Sequence, residues 1–295
     1  CSEWQTLTMT AIGGALDRPR SAPDEWDPQA AAEDLERLRR EVADLDSVVV
    51  AFSGGADSAL LAAVCHQALG DRALAITAVS PSLAASELAD CERLTSEWGM
   101  RWATVQTDEM ESAAYRRNDP DRCFHCKSAL MDAVAPLSEQ FGSVVALGVN
   151  LDDLDDHRPG QRAARERGAV FPLVEAGLTK DQVRACSRLL GLETWDKPAA
   201  ACLASRVPHG TEVSVELLSR IERAEAALVE LGASDLRVRH HGEVARIEVP
   251  SAAFDRVIAD RERIVSTLRT LGYRYVTLDL EGFRSGSMNP PGSRG

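Results

Sequence analysis

The chain has 295 residues, of which 44% are hydrophobic, and this is enough for about two domains, each with its own core, at ~150 residues a domain. The formal net charge of -13 argues against a nucleic acid partner, because clusters of lysine and arginine normally supply attraction to the phosphate backbone, and it favours a small-molecule substrate. The chain has no run of about 18 apolar residues and no basic-then-apolar secretory signal, so we expect no membrane partner and a cytoplasmic location.

The N-terminal two thirds of the chain alternate between strand and helix patterns. Residues 1–26 show no apolar period and predict a disordered leader, after which Asp27 and Pro28 suit the N-cap and first position of a helix. Strands that are covered on both faces appear in sequence as continuous apolar runs. Such runs occur at 48–52, 73–79, 102–107 and 144–149. We therefore predict an α/β fold with a doubly wound parallel sheet over residues 27–207.

The pattern changes after the string "VPHGTEV". A helical apolar stripe is followed by "LRVRHHGEVARIEV", which predicts two strands around a glycine turn, and then by a helix over about 251–271 and the strand "YRYVTLDL". These elements predict a smaller C-terminal α+β domain over residues 208–288, which serves substrate binding or oligomerisation, and a tail over 289–295. Apolar positions in this domain favour a homo-oligomer.

The first predicted strand runs directly into "SGGADSALL", residues 53–61. Adjacent glycines let the backbone approach an anion closely, while the serine hydroxyls and the N–H groups of a following helix supply donors. The Walker pattern is absent, which argues against transfer of a terminal phosphate. A tight turn that uses glycine and serine only for their geometry is the alternative.

The string Ser-Gly-Gly-x-Asp-Ser resembles the pyrophosphate loop (PP-loop) of the ATP pyrophosphatases. The resemblance implies an adenine nucleotide alpha hydrolase-like fold, ATP and Mg²⁺, and attack on the α phosphate to give an adenylated substrate and pyrophosphate. Adenylation activates a carboxylate, because the acyl adenylate has a neutral carbonyl and AMP as its leaving group. The ATP contacts that the resemblance implies are Ser53, Gly54, Gly55, Asp57 and Ser58.

Three of the seven cysteines are candidates for chemistry. Cys123 and Cys126 follow the third predicted strand, at the sheet edge where ligands of parallel α/β proteins bind, and Cys202 lies among small residues near the end of the same domain. By itself the C-x-x-C pair is open to a zinc half-site, a redox pair, iron–sulfur ligands or no role. The cysteines on predicted helices are expected to be small buried hydrophobes: Cys65, Cys91 and Cys186.

Several motifs, taken together and in order, resemble the LarE family of ATP-dependent sulfur transferases. They are "SGGADS", "TDEM", "RCFHCK", "NLDDLDDHRPG", "EAGLTK", "WDKPAAACLASR" and "LEGFRSGSMN". The resemblance implies adenylation of a carboxylate of pyridinium-3,5-biscarboxylic acid mononucleotide, with release of pyrophosphate and then AMP. The product is a thiocarboxylate in the biosynthesis of the nickel-pincer nucleotide cofactor.

The resemblance also implies how sulfur is delivered. One branch of the family has a single cysteine at the position of Cys202 and sacrifices its sulfur. The other branch adds the C-x-x-C pair, and its three thiolates hold a 4Fe-4S cluster with one iron free of protein ligands. Because Cys123, Cys126 and Cys202 fill all three positions, we expect the cluster branch, with sulfide or another sulfur donor as partner. Sacrifice of the Cys202 sulfur stays open, and so does zinc held with His125 or His209.

Further nucleotide contacts follow from the same resemblance. Asp152 or Asp156, together with Arg158, is expected near the nucleotide or the activated substrate, although an acidic loop is also typical of solvated surface. Arg206, four residues after Cys202, is expected to steady the phosphate or the departing AMP, because a fixed guanidinium binds phosphate through two donors.

The second domain offers candidates for the substrate phosphate. Arg237 and Arg239 alternate along a predicted strand and therefore share one face, which suits either a clamp for that phosphate or a solvated sheet face. Glu225 and Glu248 are candidates to hold a cation beside it, or are ordinary surface acids. The two histidines in the "RHHG" turn are expected to be exposed.

Three other functions stay open. A tRNA thiolation enzyme shares the loop and a three-cysteine cluster, but it needs a basic surface that the acidic net charge argues against. A nitrogen-using synthetase usually receives ammonia from a glutaminase, and no such segment is recognisable. A non-enzymatic iron–sulfur or nucleotide sensor would release no pyrophosphate.

Overall fold

The computed structural model describes residues 26–154, 159–198, 201–232 and 235–283. The predicted leader, apart from Trp26, and the predicted tail lie outside the described residues. The helices are α1 (Pro28–Ala43), α2 (Ala56–Leu69), α3 (Ala85–Glu97), α4 (Ala113–Arg116), α5 (Arg122–Phe141), α6 (Pro159–Glu166), α7 (Pro172–Glu175), α8 (Lys180–Leu189), α9 (Val215–Glu230), α10 (Phe254–Ala259) and α11 (Arg261–Thr270). The strands are β1 (Val48–Ala51), β2 (Ala73–Val79), β3 (Trp102–Gln106), β4 (Val144–Leu147), β5 (Arg237–His241), β6 (Val244–Glu248) and β7 (Tyr275–Leu278).

The predicted parallel sheet is confirmed, with strand order β3-β2-β1-β4. Val48 and Val50 of the central strand pack into a core with α1, α2 and α8, whereas Val49 points into a second core with α5. Helices therefore cover both faces, which explains why these strands are continuous apolar runs in the sequence. All four strands begin at their predicted first residues, and the carboxyl ends of β1, β2 and β3 lie along one edge.

The C-terminal part has its own three-stranded sheet, β5-β6-β7, with an antiparallel and a parallel pair. Residues of α9, α10 and α11 pack against one face of this sheet and form a separate apolar core. The helix predicted over about 251–271 is wrong in one respect, because the segment is divided at Asp260, which ends α10 and begins α11. In the described part of the chain, no helix combines the length and apolarity that crossing a membrane requires.

The segment that follows Cys202 joins the two sheets. Leu203 and Val207 pack with Tyr115 and with residues of α9 in a small apolar core. The Leu203 amide donates to the Ser82 carbonyl after β2 (2.8 Å), and Arg239 of β5 donates to the Ser205 carbonyl (3.1 Å). The segment with Cys202 is therefore held from both sides.

Candidate active site

The phosphate loop lies between β1 and α2, as predicted. Gly54 has a φ of 68°, a left-handed conformation that favours glycine. The Ser58 hydroxyl accepts from the Ser53 amide (3.2 Å) and donates to the Gly55 carbonyl (3.1 Å), so it closes the turn. Gly55 caps α2 without a side-chain hydrogen bond, which leaves N–H groups of the first helical turn for an anion.

A lysine that the sequence analysis did not single out lies beside this loop. A Cβ at Gly54 would lie 3.8 Å from Lys197 Nζ and 3.2 Å from Cys91 Sγ. Lys197 Nζ contacts Glu87 Oε2 at 2.9 Å and Asp90 Oδ2 at 3.0 Å on α3. Burial favours the neutral amine, but the two carboxylates outweigh burial and raise the Lys197 pKa, so the side chain keeps its charge. The sequence signal that could have identified Lys197 is a single lysine next to a stretch of small residues.

A second network fixes Asp57 in the first turn of α2. Lys180 Nζ lies 2.6 Å from Asp57 Oδ2, and Asn150 Nδ2 donates to Asp57 Oδ1 at 3.0 Å. Asp152, predicted near the nucleotide, accepts from the Lys180 amide at 2.8 Å and so caps α8. The other residues predicted for this loop, Asp156 and Arg158, lie outside the described residues.

The end of β4 comes extremely close to the phosphate loop. A Cβ at Gly148 would lie 2.7 Å from the Ser58 backbone nitrogen and 2.8 Å from the Asp57 carbonyl carbon. These contacts are with backbone and have little freedom to shift. Glycine at this position therefore allows the end of β4 to pack directly against the first turn of α2.

The structure brings the three candidate thiols into one neighbourhood. Cys126 and Cys202 are partly buried against the same apolar core, and Cys123 is exposed. The Cys126 pKa is raised to about 12, chiefly by burial. The nearby Cys202 and Cys123 also raise the pKa, while Lys127 lowers it. Within the described ranges, no three histidine, cysteine or acidic side chains are close enough to hold a single metal ion. The three thiols are therefore neighbours, but in this structure they do not form a site for a single metal ion.

Close packing of α6 fixes the helix that carries the pair. A Cβ at Gly160 would lie 2.8 Å from the Cys123 carbonyl oxygen, so only glycine lets α6 approach the first turn of α5 this closely. The remaining thiols, as predicted, are buried: Cys65, Cys91 and Cys186. Burial raises the pKa of Cys65 and of Cys186 to about 12.

Two buried polar side chains flank the thiol pocket, and sequence analysis identified neither. The Tyr115 hydroxyl lies 2.6 Å from Ser82 Oγ, and its pKa is raised by burial and then by the negative charge of Cys202. Burial works against the charge of Arg122, but the charges of Cys202 and Cys123 outweigh burial and raise the Arg122 pKa. Nothing in the sequence distinguishes Arg122 from an exposed arginine, so only the structure shows that it is buried beside the thiols.

Arg206 is buried and holds the Cys202 segment. Its Nε and Nη2 donate to the two oxygens of Glu225 at 3.0 and 3.1 Å, and its Nη1 donates to the Cys202 carbonyl at 3.0 Å. The residue is only 4% exposed. In this structure the guanidinium joins Cys202 to α9, and its predicted contact with phosphate or AMP stays a prediction.

Arg237 and Arg239 differ in their surroundings. Arg239 is 6% exposed and pairs with the fully buried Glu248 at 2.8 Å, so the solvated sheet face offered as an alternative is wrong for it. Arg237 is partly buried and lies 5.2 Å above the Phe283 ring. Burial, followed by the charge of Arg206, lowers the Arg237 pKa despite the nearby Glu225. A guanidinium in such surroundings is suited to an anionic ligand.

The acids predicted as cation ligands are engaged by donors. The Glu225 oxygens accept from Arg206 and from the Val238 amide, at 2.9 Å for the latter. The Glu248 oxygens pair with Arg239 and, at 2.9 Å, with Arg246. In this structure both carboxylates pair with arginines, and their predicted contact with a cation stays a prediction.

The chain is similar in sequence to several known proteins. Residues 32–131 match the NAD synthase family. An uncharacterised protein of Synechocystis sp. is 46% identical over 258 residues, which cover 86% of this chain and 96% of the relative. A shorter match, 30% identical over 119 residues, is to a GMP synthase (glutamine-hydrolysing) of Bifidobacterium longum, covering 39% of this chain and 22% of that enzyme.

One relative matches most of the chain. The pyridinium-3,5-bisthiocarboxylic acid mononucleotide synthase of Lactiplantibacillus plantarum is 37% identical over 248 residues, which cover 83% of this chain and 90% of the synthase. A match over 83% of the chain leaves out too few residues to miss either the phosphate loop or the Cys202 segment. On this extent of similarity, the chain belongs to the LarE family of PP-loop proteins.

Proposed function

We propose that the protein is an ATP-dependent sulfur transferase of nickel-pincer nucleotide biosynthesis. It adenylates a carboxylate of pyridinium-3,5-biscarboxylic acid mononucleotide and converts it to a thiocarboxylate, releasing pyrophosphate and AMP. The observation that carries the proposal is that a phosphate loop and a pocket of three thiols lie at the carboxyl ends of one parallel sheet, in a chain 37% identical to a synthase of the bisthiocarboxylic acid product. Ligands of open α/β sheets bind at that edge.

The phosphate loop supports the adenylation step. The open first turn of α2 and the hydroxyl of Ser53 supply donors for ATP phosphates, and Lys197 supplies positive charge beside Gly54. Asp57, which Lys180 and Asn150 hold in the first turn of α2, is the proposed carboxylate contact of the ATP–Mg²⁺ complex. The substrate carboxylate attacks the α phosphate, so the bond between the α phosphorus and the bridging oxygen breaks and pyrophosphate leaves. Fixed donors favour this step because they meet the developing charge without reorganising.

The thiol pocket supports the sulfur step. A sulfur nucleophile attacks the acyl carbon, a C–S bond forms, and the C–O bond to AMP breaks. Cys123, Cys126 and Cys202 supply the thiolate type that iron–sulfur clusters use, and these neighbouring residues would hold the cluster. The cluster, when bound, supplies an iron without a protein ligand for the incoming sulfur.

The C-terminal sheet supports binding of the mononucleotide. Arg237 has a partly buried guanidinium next to Arg206 and Arg239, and this excess of positive charge suits the phosphate of the substrate. Arg239 supports the same site by holding β5 against the Cys202 segment through its bond to Ser205.

The test is to measure pyrophosphate release by anaerobically reconstituted protein with ATP, Mg²⁺, sulfide and the biscarboxylic acid nucleotide. We expect release that depends on the nucleotide, and thiocarboxylate formation in more than one turnover. A Cys123→Ala/Cys126→Ala protein should still release pyrophosphate but lose multiple turnover, while Cys65→Ala, which removes a buried thiol from α2, should behave as wild type. Pyrophosphate release that ignores the nucleotide would overturn the proposal.

A further inference from the structure

Arg122, the first residue of α5, is a buried arginine whose hydrogen-bond partners among the described residues are uncharged. It is 6% exposed, and its guanidinium donates to an amide side chain and to a backbone carbonyl. Arginine is almost never this buried unless it is paired, because taking its charge out of water is costly. The side chains of Cys202, Cys123 and Tyr115 lie near enough to act on its pKa, so its positive charge lies beside two of the three candidate thiols. The pocket therefore contains a fixed positive charge that is suited to anionic sulfur.

The same guanidinium joins the cysteine pair to Cys202. Arg122 Nη1 donates to the Ala204 carbonyl at 2.8 Å, two residues after Cys202, and also to Asn118 Oδ1. Asn118 is fully buried and donates to three further carbonyls of that segment. Those of Val207, Pro208 and Thr211 accept at 3.3, 2.8 and 3.1 Å. One buried unit thus ties the first turn of α5 to the segment that carries the third thiol.

We propose that Arg122 is a positioning residue that holds Cys202 against the Cys123–Cys126 pair and supplies the positive charge for the three sulfur ligands. This inference rests on the proposed cluster function. A nearby cation favours the reduced form of an iron–sulfur cluster. Arg122 therefore affects two separable properties, the spacing of the thiols and the reduction potential of the cluster that they bind.

The test compares Arg122→Gln, Arg122→Lys and the control Arg117→Gln. Arg117 is an exposed arginine five residues earlier, which pairs with Asp119 on the surface at 3.3 Å. Each protein is reconstituted anaerobically, and iron and sulfide per chain and the midpoint potential are measured. Arg122→Gln should lose iron several-fold and lower the potential of any cluster that remains, Arg122→Lys should retain more iron because it keeps the charge, and Arg117→Gln should match wild type. Wild-type iron content and potential in both Arg122 variants would overturn the inference.

A second measurement needs no metal. In the apo proteins, a short bifunctional maleimide is used to join Cys202 to Cys126, and the cross-linked peptide is quantified by mass spectrometry. Arg122→Gln should form it several-fold more slowly than Arg117→Gln, with an unchanged melting temperature in Arg122→Lys as the folding control. Equal rates would contradict the positioning role. If wild type binds no iron, the function proposal fails, while this cross-link still tests Arg122.

Discussion

At the scale of single residues, one lysine and two arginines supply positive charge to the candidate site. Lys197 lies beside the phosphate loop, Arg122 beside the thiols and Arg237 on the C-terminal sheet. Each is partly or fully buried, so its charge is screened less than that of a surface residue. These three residues are far apart in the sequence, so no local sequence pattern shows that they contribute charge to the same site.

Lys197→Met should weaken ATP binding. The change removes a positive charge beside Gly54 together with its ion pairs to Glu87 and Asp90. We expect the dissociation constant to rise about tenfold, which corresponds to ~1.4 kcal/mol. Calorimetric titration with ATP measures the change, and Arg117→Gln, which removes an exposed arginine paired with Asp119, serves as control. Equal affinities would exclude a phosphate contact for Lys197.

His240 makes the C-terminal sheet sensitive to pH. It was expected to be exposed, but it is buried beside Tyr273, and its Nδ1 has no hydrogen-bond partner among the described residues. Burial, followed by the charges of Arg220 and His241, lowers its pKa from 6.5. The unfolded chain therefore binds the proton more readily, so His240 contributes stability above pH 6.5 that is lost as pH falls through and below that value.

The corresponding experiment compares melting temperatures between about pH 7.5 and pH 5 for wild type and His240→Phe. Phenylalanine keeps a planar ring beside Tyr273 and cannot bind a proton. Wild type should lose stability as pH falls, and the variant should lose less. A variant with the full wild-type dependence would show that other groups are responsible.

At the scale of elements, glycines set the distances between the parts of the site. Gly148 brings the end of β4 against the first turn of α2, and Gly160 brings α6 against the first turn of α5. These turns carry the phosphate loop and the cysteine pair. Neither close approach follows from secondary-structure patterns, because each depends on which elements the fold places together.

Gly148→Ala should disturb the phosphate loop. Its Cβ would lie 2.7 Å from the Ser58 nitrogen, so α2 has to shift. Overpacking of this kind typically costs about 1–3 kcal/mol, and we expect ATP affinity to fall by at least tenfold, roughly. The control is Gly142→Ala at the other end of β4, where φ is 56° and nothing lies within 4 Å of the new Cβ.

The control should lose about 1–2 kcal/mol from its left-handed backbone and keep its ATP affinity. Urea unfolding and calorimetric titration measure the two quantities separately. The account of β4 as a support for the loop fails if both variants bind ATP as wild type does.

At the scale of the whole molecule, sequence analysis predicted the two sheets and the sheet edge that bears the site. The apolar runs identified each strand of the parallel sheet, since burial on both faces is encoded locally. Sequence patterns did not reveal the ion pairs Arg206–Glu225 and Arg239–Glu248. The first pair forms because the Cys202 segment packs against α9, and the second joins the neighbouring strands β5 and β6. Residue periodicity predicts neither pairing of side chains.

The predicted homo-oligomer stays a prediction at this scale. Val229, Ile258 and Leu280 are exposed apolar side chains of the C-terminal part, at 58%, 53% and 82%. Light scattering of the purified chain gives the number of subunits directly.

The central claim is that one edge of the sheet both activates a carboxylate with ATP and delivers sulfur to it. The most direct test is mass spectrometry of the nucleotide and of the polypeptide after anaerobic reaction with ATP, Mg²⁺ and sulfide. The account predicts a nucleotide in which sulfur replaces a carboxylate oxygen, in excess over protein, with the polypeptide mass unchanged. A polypeptide lighter by one H₂S would contradict the role of the cluster, and a nucleotide without sulfur would contradict the central claim itself.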